Sequence, residues 1–252
     1  MSSSEVIVLY DIPTNDPKHK IWSPNTVKAR FALSYKGIPF KTEWIEYPDI
    51  EALCLKLNVP ATTKKADGRP HYTLPIIYDP STKRALADSA AIAKYLDVTY
   101  PSTPVLFPPG TDALQHVFLD SWFSTVGRPL YMSTIAQFWT VMTPRSAEYY
   151  RRTNEVTFGN KLEALGTAAE WKQLEEELGK VDRWLSANGP GKDELLLGDR
   201  ICFGDFQIAA ALYCARFILG ADSQNWKEMA AWHNGKWKRI VEAFEKYAVV
   251  DA

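Results

Sequence analysis

The change of pattern near residue 110 constrains the fold of this chain more than any other feature. Before it, strand-like and helix-like segments alternate in the order β-α-β-α-β-β-α within about 100 residues. After it, every periodic segment is helical, near 112–141, 145–164, 168–187, 205–219 and 225–246. The sequence therefore predicts an α/β domain over 1–100 and an all-α domain over 111–252, joined by a proline-rich linker at 101–110.

A strand, a helix and a second strand begin the N-terminal domain. Residues 5–10 have the β-branched composition of a buried strand, and 40–44 alternate like a second one. The helix between them has Ser23 at its N-cap position, Pro24 at its first position and Gly37 just past its end. This order favours parallel pairing of the two strands through a right-handed crossover.

A proline interrupts the strand-like run 72–78. Because proline removes a ladder hydrogen bond, it is confined to edge strands and strand ends. Two explanations stay open: an edge strand with a trans proline, and a cis bond between Leu74 and Pro75 at the beginning of the strand. In the second, Leu74 presents its backbone N–H and C=O to a peptide-like ligand.

Asp88 and Ser89 stand where a short strand, 83–87, meets the next helix. An ordinary N-cap explains them. The same geometry also suits a ligand, because the free N–H groups of a helix N-terminus bind a carboxylate and Asp88 can accept from an ammonium. A γ-glutamyl group carries both charges.

Ser23 has two explanations as well, a capping role and activation of a ligand's thiol. A free thiol has a pKa of about 8.5, so little thiolate forms near neutral pH. A hydroxyl donor at a helix N-terminus is sufficient to lower that pKa, since a hydrogen bond to a charged group contributes about 1.5–3 kcal/mol. Asn25 would add an amide donor.

The cytosolic glutathione transferase superfamily has landmark motifs on a β-α-β-α-β-β-α domain, and this sequence resembles them in type and order at Ser23, Leu74-Pro75 and Asp88-Ser89. The segment 198–206 resembles its C-terminal capping motif, with a cysteine where Ser or Thr usually stands. Within the superfamily, 22–30 resembles the etherase-related class, which includes bacterial lignin β-etherases and the fungal FuA transferases.

The resemblance implies a thioredoxin-like N-terminal domain that binds glutathione as a co-substrate. It assigns stabilisation of the glutathione thiolate to Ser23 and Asn25. It assigns glutathione binding to Leu74, Pro75, Asp88 and Ser89. The glycine carboxylate needs a cation, for which Lys64 is a candidate beside Lys65, Lys41 and His71; solvated loop lysines would also explain the first two.

The helical domain is expected to hold an apolar co-substrate pocket, for which the candidates are Trp22, Trp122, Phe123 and Tyr131. The chain has nine Trp, twelve Tyr and eleven Phe, and most such residues belong to cores. The expected reaction is attack of glutathione thiolate on an apolar aromatic electrophile, with β-aryl ether cleavage as one form. The alternative is a ligandin-like carrier of polyphenols or other aromatic ligands. The resemblance also implies a homodimer.

Composition excludes several other classes of function. The formal net charge of −1 gives no general attraction to nucleic acid or anionic membranes. The three cysteines lack CxxC spacing, which favours a reducing, cytoplasmic compartment over a disulfide framework. The four histidines show no metal-ligand spacing, so no metal is expected. No apolar stretch reaches the length of a membrane span.

Overall fold

The computed structural model describes residues 6–18, 20–65 and 67–251. Glu5, where the first strand was predicted to begin, and His19 lie outside these ranges. Within the described ranges, the N-terminal domain has six strands and three α-helices. In chain order they are β1 Ile7–Asp11, α1 Pro24–Tyr35, β2 Phe40–Trp44, α2 Ile50–Lys56, β3 Thr63–Lys64, β4 Pro70–His71, β5 Ile76–Asp79, β6 Arg84–Ala87 and α3 Ser89–Thr99.

Four strands form the sheet of this domain in the order β2-β1-β5-β6. The β1–β2 pair is parallel, as the crossover predicted, and β5 is antiparallel to both of its neighbours. The short hairpin β3–β4 lies in the segment that the sequence predicted as a loop. The arrangement is the expected thioredoxin-like α/β domain.

The C-terminal domain consists of helices. They are α4 Asp112–Trp122, α5 Arg128–Phe138, α6 Pro144–Phe158, α7 Ala168–Ser186, α8 Phe203–Leu219 and α9 Gln224–Phe244. The helix predicted to reach 164 ends at Phe158, because Gly159 takes the left-handed conformation that terminates helices. The backbone of 232–235 is non-helical and kinks α9, which the periodicity did not predict. Within the described ranges, no helix is both long enough and apolar enough to cross a membrane.

The proline-rich linker is fixed to both domains. The carboxylate of Asp97 at the end of α3 accepts hydrogen bonds from the backbone N–H groups of Leu106 and Phe107. Lys36 at the end of α1 donates to the carbonyl of Pro104 at 2.8 Å. From the other side, the N–H of Phe203 donates to Leu106. The linker therefore holds α1 and α8 in a defined relation, and these two helices form the main contact between the domains.

The predicted capping motif begins α8. One oxygen of the Asp205 carboxylate accepts from the N–H of Cys202 at 2.7 Å, and the other accepts from the N–H of Leu196 at 2.6 Å. Burial raises the pKa of Asp205 to about 6, although both backbone hydrogen bonds favour the charged form. The carboxylate, rather than the weakly accepting thiol of Cys202, therefore carries the cap.

Candidate functional site

Ser23 immediately precedes α1 and has extended backbone angles, as an N-cap residue should. Its side chain, however, makes no capping hydrogen bond to the first turn of the helix. The residue is 5% exposed and lies at the positive end of α1, and it is not among the residues that line the cavity described below. Capping of the first turn does not occupy this hydroxyl.

Leu74 and Pro75 are joined by a cis peptide bond. The ladder between β1 and β5 begins at the pair Tyr10–Ile76, two residues beyond Leu74. Because β5 is a central strand, the explanation as an edge strand with a trans proline is wrong. Leu74 thus lies just outside the sheet, at the end where β1 leads towards Ser23.

Asp88 and Ser89 begin α3. The Oδ1 atom of Asp88 accepts from the N–H groups of Ala90 and Ala91, at 3.0 and 2.9 Å, so the residue is a true N-cap. Its φ of 75° is unusual for a residue other than glycine, and such backbone strain is concentrated at functional sites. Within the described chain, Oδ2 of this exposed carboxylate has no hydrogen-bond partner. Capping and ligand binding are therefore compatible here.

The four cation candidates differ in how far they are already paired. Lys65 faces Glu51 at 3.8 Å. His71 contacts the hydroxyl of Thr63, and burial together with Lys65 lowers its pKa. Lys41 is exposed on β2, and Lys64 is exposed on β3 without an ion pair among the described residues. Lys64 therefore remains the candidate with the freest ammonium group in the hairpin.

A cavity of about 210 Å³ opens between the two domains. Its walls come from α1, from α4 and α5, and from α8. The lining is mostly apolar, as in sites for small organic ligands. The residues that line it are Pro24, Asn25, Lys28, Leu119, Trp122, Phe123, Gly127, Leu130, Tyr131, Thr134, Phe138, Gln207, Ala211, Cys214, Ala215 and Ile218.

Three of the four predicted pocket residues, Trp122, Phe123 and Tyr131, line this cavity. Trp22 does not. Its side chain is fully buried, and the indole N–H donates to the carbonyl of Ile12 at 3.0 Å. The prediction for Trp22 is therefore corrected: the residue belongs to the core beneath the start of α1, where a buried indole needs its hydrogen bond satisfied.

The cavity wall contains a π-helical turn over Phe123–Gly127, between α4 and α5. In such a turn each hydrogen bond spans one more residue than in an α-helix, and such turns occur frequently at functional sites. Here Phe123 is 73% exposed at the mouth of the cavity. The periodicity had predicted one continuous helix over 112–141, and it contained no signal for this turn.

Lys28 and Gln207 also line the cavity, and sequence reasoning missed both. The ammonium of Lys28 donates to Gln207 Oε1 at 2.9 Å across the domain boundary. Lys28 is 8% exposed, and burial lowers its pKa to about 8, with Asp88 and Cys214 acting in the opposite direction. A signal was present in the spacing: Lys28 is three residues after Asn25, and these positions share a helix face.

Cys214 lines the deeper part of the cavity from α8. Its burial raises the pKa of the thiol well above the ordinary value. Because a reactive cysteine needs a lowered pKa and solvent access, Cys214 is an inert wall residue. Among the described residues, no group of three His, Cys, Asp or Glu side chains could hold a metal ion.

The N-terminus of α1, with Pro24 and Asn25 directly after Ser23, borders the apolar cavity. Two stretches of the chain match known protein families. Residues 22–99 match the family described as the N-terminal domain of glutathione S-transferase, and 113–247 match its C-terminal domain. The chain belongs to the glutathione transferase family.

Solved structures of other family members are similar over nearly the whole chain. Glutathione transferase GSTFuA3 from Phanerochaete chrysosporium is 48% identical with a TM-score of 0.95, covering 98% of this chain and 99% of that one. A glutathione S-transferase of Ceriporiopsis subvermispora, solved in complex with glutathione, is 43% identical with a TM-score of 0.92, covering 97% and 98%.

A curated relative is the glutathione S-transferase-like protein ustS of Aspergillus flavus. It is 32% identical over an alignment 245 positions long, which covers 89% of this chain and 84% of that protein. The glutathione transferase fold, with its α/β and helical domains, is thereby confirmed for this chain.

Proposed function

We propose that this glutathione transferase activates the thiol of glutathione at Ser23 and transfers it to an aromatic electrophile in the cavity. The observation that carries the proposal is the Ser23 hydroxyl, which makes no cap and lies at the positive end of α1, directly before Pro24 and Asn25 on the cavity wall. The hydroxyl would donate a hydrogen bond to the thiolate, and the dipole of α1 would add to its stabilisation. Asn25, exposed on the cavity wall, would supply a second donor.

The reaction follows from a stabilised thiolate. The thiol gives its proton to solvent, and the sulfur forms a bond to an electrophilic carbon of the co-substrate. The bond from that carbon to the leaving group breaks, and the leaving group departs with the electron pair. In a β-aryl ether the leaving group is a phenolate, which places β-ether cleavage within this chemistry.

Glutathione would be oriented by groups from three elements. The backbone of Leu74, preceding the cis Pro75, would pair with the peptide backbone of the ligand. The uncommitted Oδ2 of Asp88 would accept from the γ-glutamyl ammonium, while Ser89 and the N-terminus of α3 would bind the α-carboxylate. Lys64 would pair with the glycine carboxylate.

The test compares Ser23→Ala with the wild type and with Ser34→Ala. Ser34 lies in α1, and its buried hydroxyl has no hydrogen-bond partner among the described residues, which makes it a matched control. Conjugation of glutathione to activated aromatics and to β-aryl ethers is followed, together with the pKa of bound glutathione. We expect kcat/KM to fall about 10- to 100-fold in Ser23→Ala only, as the loss of a hydrogen bond to a charged group predicts. Unchanged turnover with an unchanged thiol pKa would remove Ser23 from the mechanism.

The second candidate is a ligandin-like carrier, which the apolar lining of the cavity favours. A carrier would bind glutathione and aromatic ligands but show little turnover with any electrophile. Aromatic ligands would then raise the melting temperature, because a ligand that binds only the native state stabilises it. Absence of such a shift across a polyphenol panel would exclude this function.

The family resemblance also leads us to propose a homodimer. Leu114 and Val117 support it, since both are exposed apolar residues and their spacing places them on one face of α4. Sedimentation of the wild type should give a dimer, and Leu114→Glu with Val117→Glu should shift it towards monomer. Val156→Glu, on α6, changes another exposed valine and serves as the control. A monomeric wild type would contradict the proposal.

We further propose a reducing, cytoplasmic location. Its support is that Cys54, Cys202 and Cys214 are all buried and unpaired. Microscopy of a fluorescent fusion in the source cell would test the location directly, and secretion of the fusion would contradict it.

A further inference from the structure

Lys28 stands out in the cavity because its surroundings are apolar. Among the described residues that line the cavity, it is the single one with a charged side chain. Lys28 lies on α1, five residues after Ser23, and its side chain reaches Gln207 on α8. The rest of the wall is aromatic, aliphatic or neutral polar.

The protein satisfies this ammonium group only in part. An ammonium has three N–H donors, and the described chain supplies one acceptor, Gln207 Oε1 at 2.9 Å. No carboxylate in the described ranges lies within ion-pair distance of it; Asp88 acts on it only from farther away. Burying a charge without a paired partner is costly, so the cavity favours an occupant that brings the missing negative charge.

We propose that the ligand of this cavity is an aromatic anion, whose carboxylate, sulfonate or phenolate oxygen is bound by Lys28. The aromatic ring would lie among Trp122, Phe123 and Tyr131. Gln207 would act as a positioning residue, because its side-chain oxygen holds the ammonium while its amide N–H groups can donate to the same anion. The inference rests on the proposed function, since it names the chemical class of the second substrate or ligand.

A different role for Lys28 would be electrostatic stabilisation of the glutathione thiolate. The two roles predict different behaviour. A thiolate partner would affect reactions with neutral and anionic co-substrates equally, and it would have no effect on ligands that bind without glutathione. An anion site would separate charged from neutral ligands in the absence of glutathione.

The experiment uses two fluorescent probes that share an aromatic scaffold, anilinonaphthalene sulfonate and the uncharged N-phenylnaphthylamine. Each is titrated into the full chain without glutathione, in the wild type, Lys28→Met, Lys28→Arg and Lys227→Met. Lys227 is exposed on α9 and away from the cavity, so its variant controls for the change of net charge. Circular dichroism and thermal melting confirm that each variant is folded.

We expect Lys28→Met to weaken the sulfonate probe by about tenfold or more, as the loss of a charge-assisted hydrogen bond predicts. The neutral probe should bind Lys28→Met as well as it binds the wild type. Lys28→Arg should restore part of the sulfonate affinity, and Lys227→Met should change neither probe.

Equal weakening of both probes in Lys28→Met would overturn the inference, because Lys28 would then only shape the cavity. Unchanged sulfonate binding would overturn it too. Neither result depends on turnover, so failure of the anion site is distinguishable from failure of the transferase proposal, which the Ser23 variants test.

Discussion

Asp11 Oδ2 and Arg30 Nη2 form an ion pair of 2.8 Å in which both side chains are completely excluded from solvent. Arg30 also donates to the hydroxyl of Thr42 on β2 and to the carbonyl of Val249. The N–H of Ile12 donates to Asp11 Oδ1 at 2.7 Å. One buried pair thus joins the end of β1, the middle of α1 and the segment 249–251. It fixes the position of α1, the helix that begins after Ser23 and contains Lys28.

Removal of one member of this pair should destabilise the protein strongly. We expect Arg30→Met to lower the free energy of unfolding by about 3–5 kcal/mol, because it leaves the Asp11 carboxylate buried and uncompensated. Arg200→Met breaks an exposed pair with Asp199 and should cost less than about 1 kcal/mol. Denaturant unfolding measures both. A loss for Arg30→Met as small as for Arg200→Met would show that the buried pair contributes no specific stability.

The two buried tryptophans Trp22 and Trp122 should differ in their effect on ligand binding, because only Trp122 lines the cavity. Trp22→Phe removes the hydrogen bond to Ile12 in the core and should lower the free energy of unfolding by about 1–3 kcal/mol, with little effect on binding of an apolar probe. Trp122→Ala removes part of the cavity wall and should weaken that probe; because the side chain is only 2% exposed, it should also lower the free energy of unfolding by about 3–5 kcal/mol. Thermal melting and fluorescence titration give the two readouts. A binding defect confined to Trp22→Phe would contradict the core assignment.

The buried carboxyl of Asp205 should make stability depend on pH. The pKa of Asp205 is raised from its ordinary value of 3.8 to about 6 in the folded state. The stability that the protonated carboxyl contributes is therefore complete below pH 3.8, and it is lost as pH rises through about 6. Asp205→Asn does not titrate and loses one acceptor. The deficit of this variant relative to the wild type should therefore be larger near pH 4 than near pH 7, by at most roughly 3 kcal/mol. Urea unfolding across this range tests it; a deficit that grows with pH would contradict it.

Binding of the sulfonate probe should weaken as pH rises above about 8, where Lys28 loses its proton. The groups that face Lys28 are Gln207 and Cys214 from α8 and Asp88 at the beginning of α3. A bound anion favours the charged ammonium, so the midpoint in the complex should lie at or above that value. The sulfonate stays ionised throughout. Lys28→Met should show a flat profile, and a matching pH dependence in that variant would assign the titration to another group.

Local signals were sufficient for the order of the two domains. Capping residues, turn residues and periodicity predicted both domains and the parallel β1–β2 pair, and the family resemblance supplied the capping motif at Asp205. The proline that precedes β5 was predicted only as two alternatives, because strand order decides between them and strand order is a non-local property.

The cavity was predictable only in part, since the helices that line it come from distant parts of the chain. No local pattern distinguishes the roles of Trp22 and Trp122, and only tertiary packing places Trp122 in the cavity wall and Trp22 outside it. The contact between Lys28 and Gln207 joins residues 179 positions apart. The hydrophobic periodicity does not distinguish the π-helical turn from an ordinary α-helix. It also carries no signal for a contact between two helices so far apart in the chain.

The segment 249–251 also has a consequence for the behaviour of the protein in concentrated solution. It lies against β2, an outer strand of the sheet, where the N–H of Thr42 donates to the Asp251 carboxylate and the Thr42 hydroxyl donates to the carbonyl of Val250. An open strand edge is a template for pairing with other chains. By occupying hydrogen-bonding groups of that edge and placing a carboxylate there, the segment guards the glutathione domain against edge-to-edge aggregation.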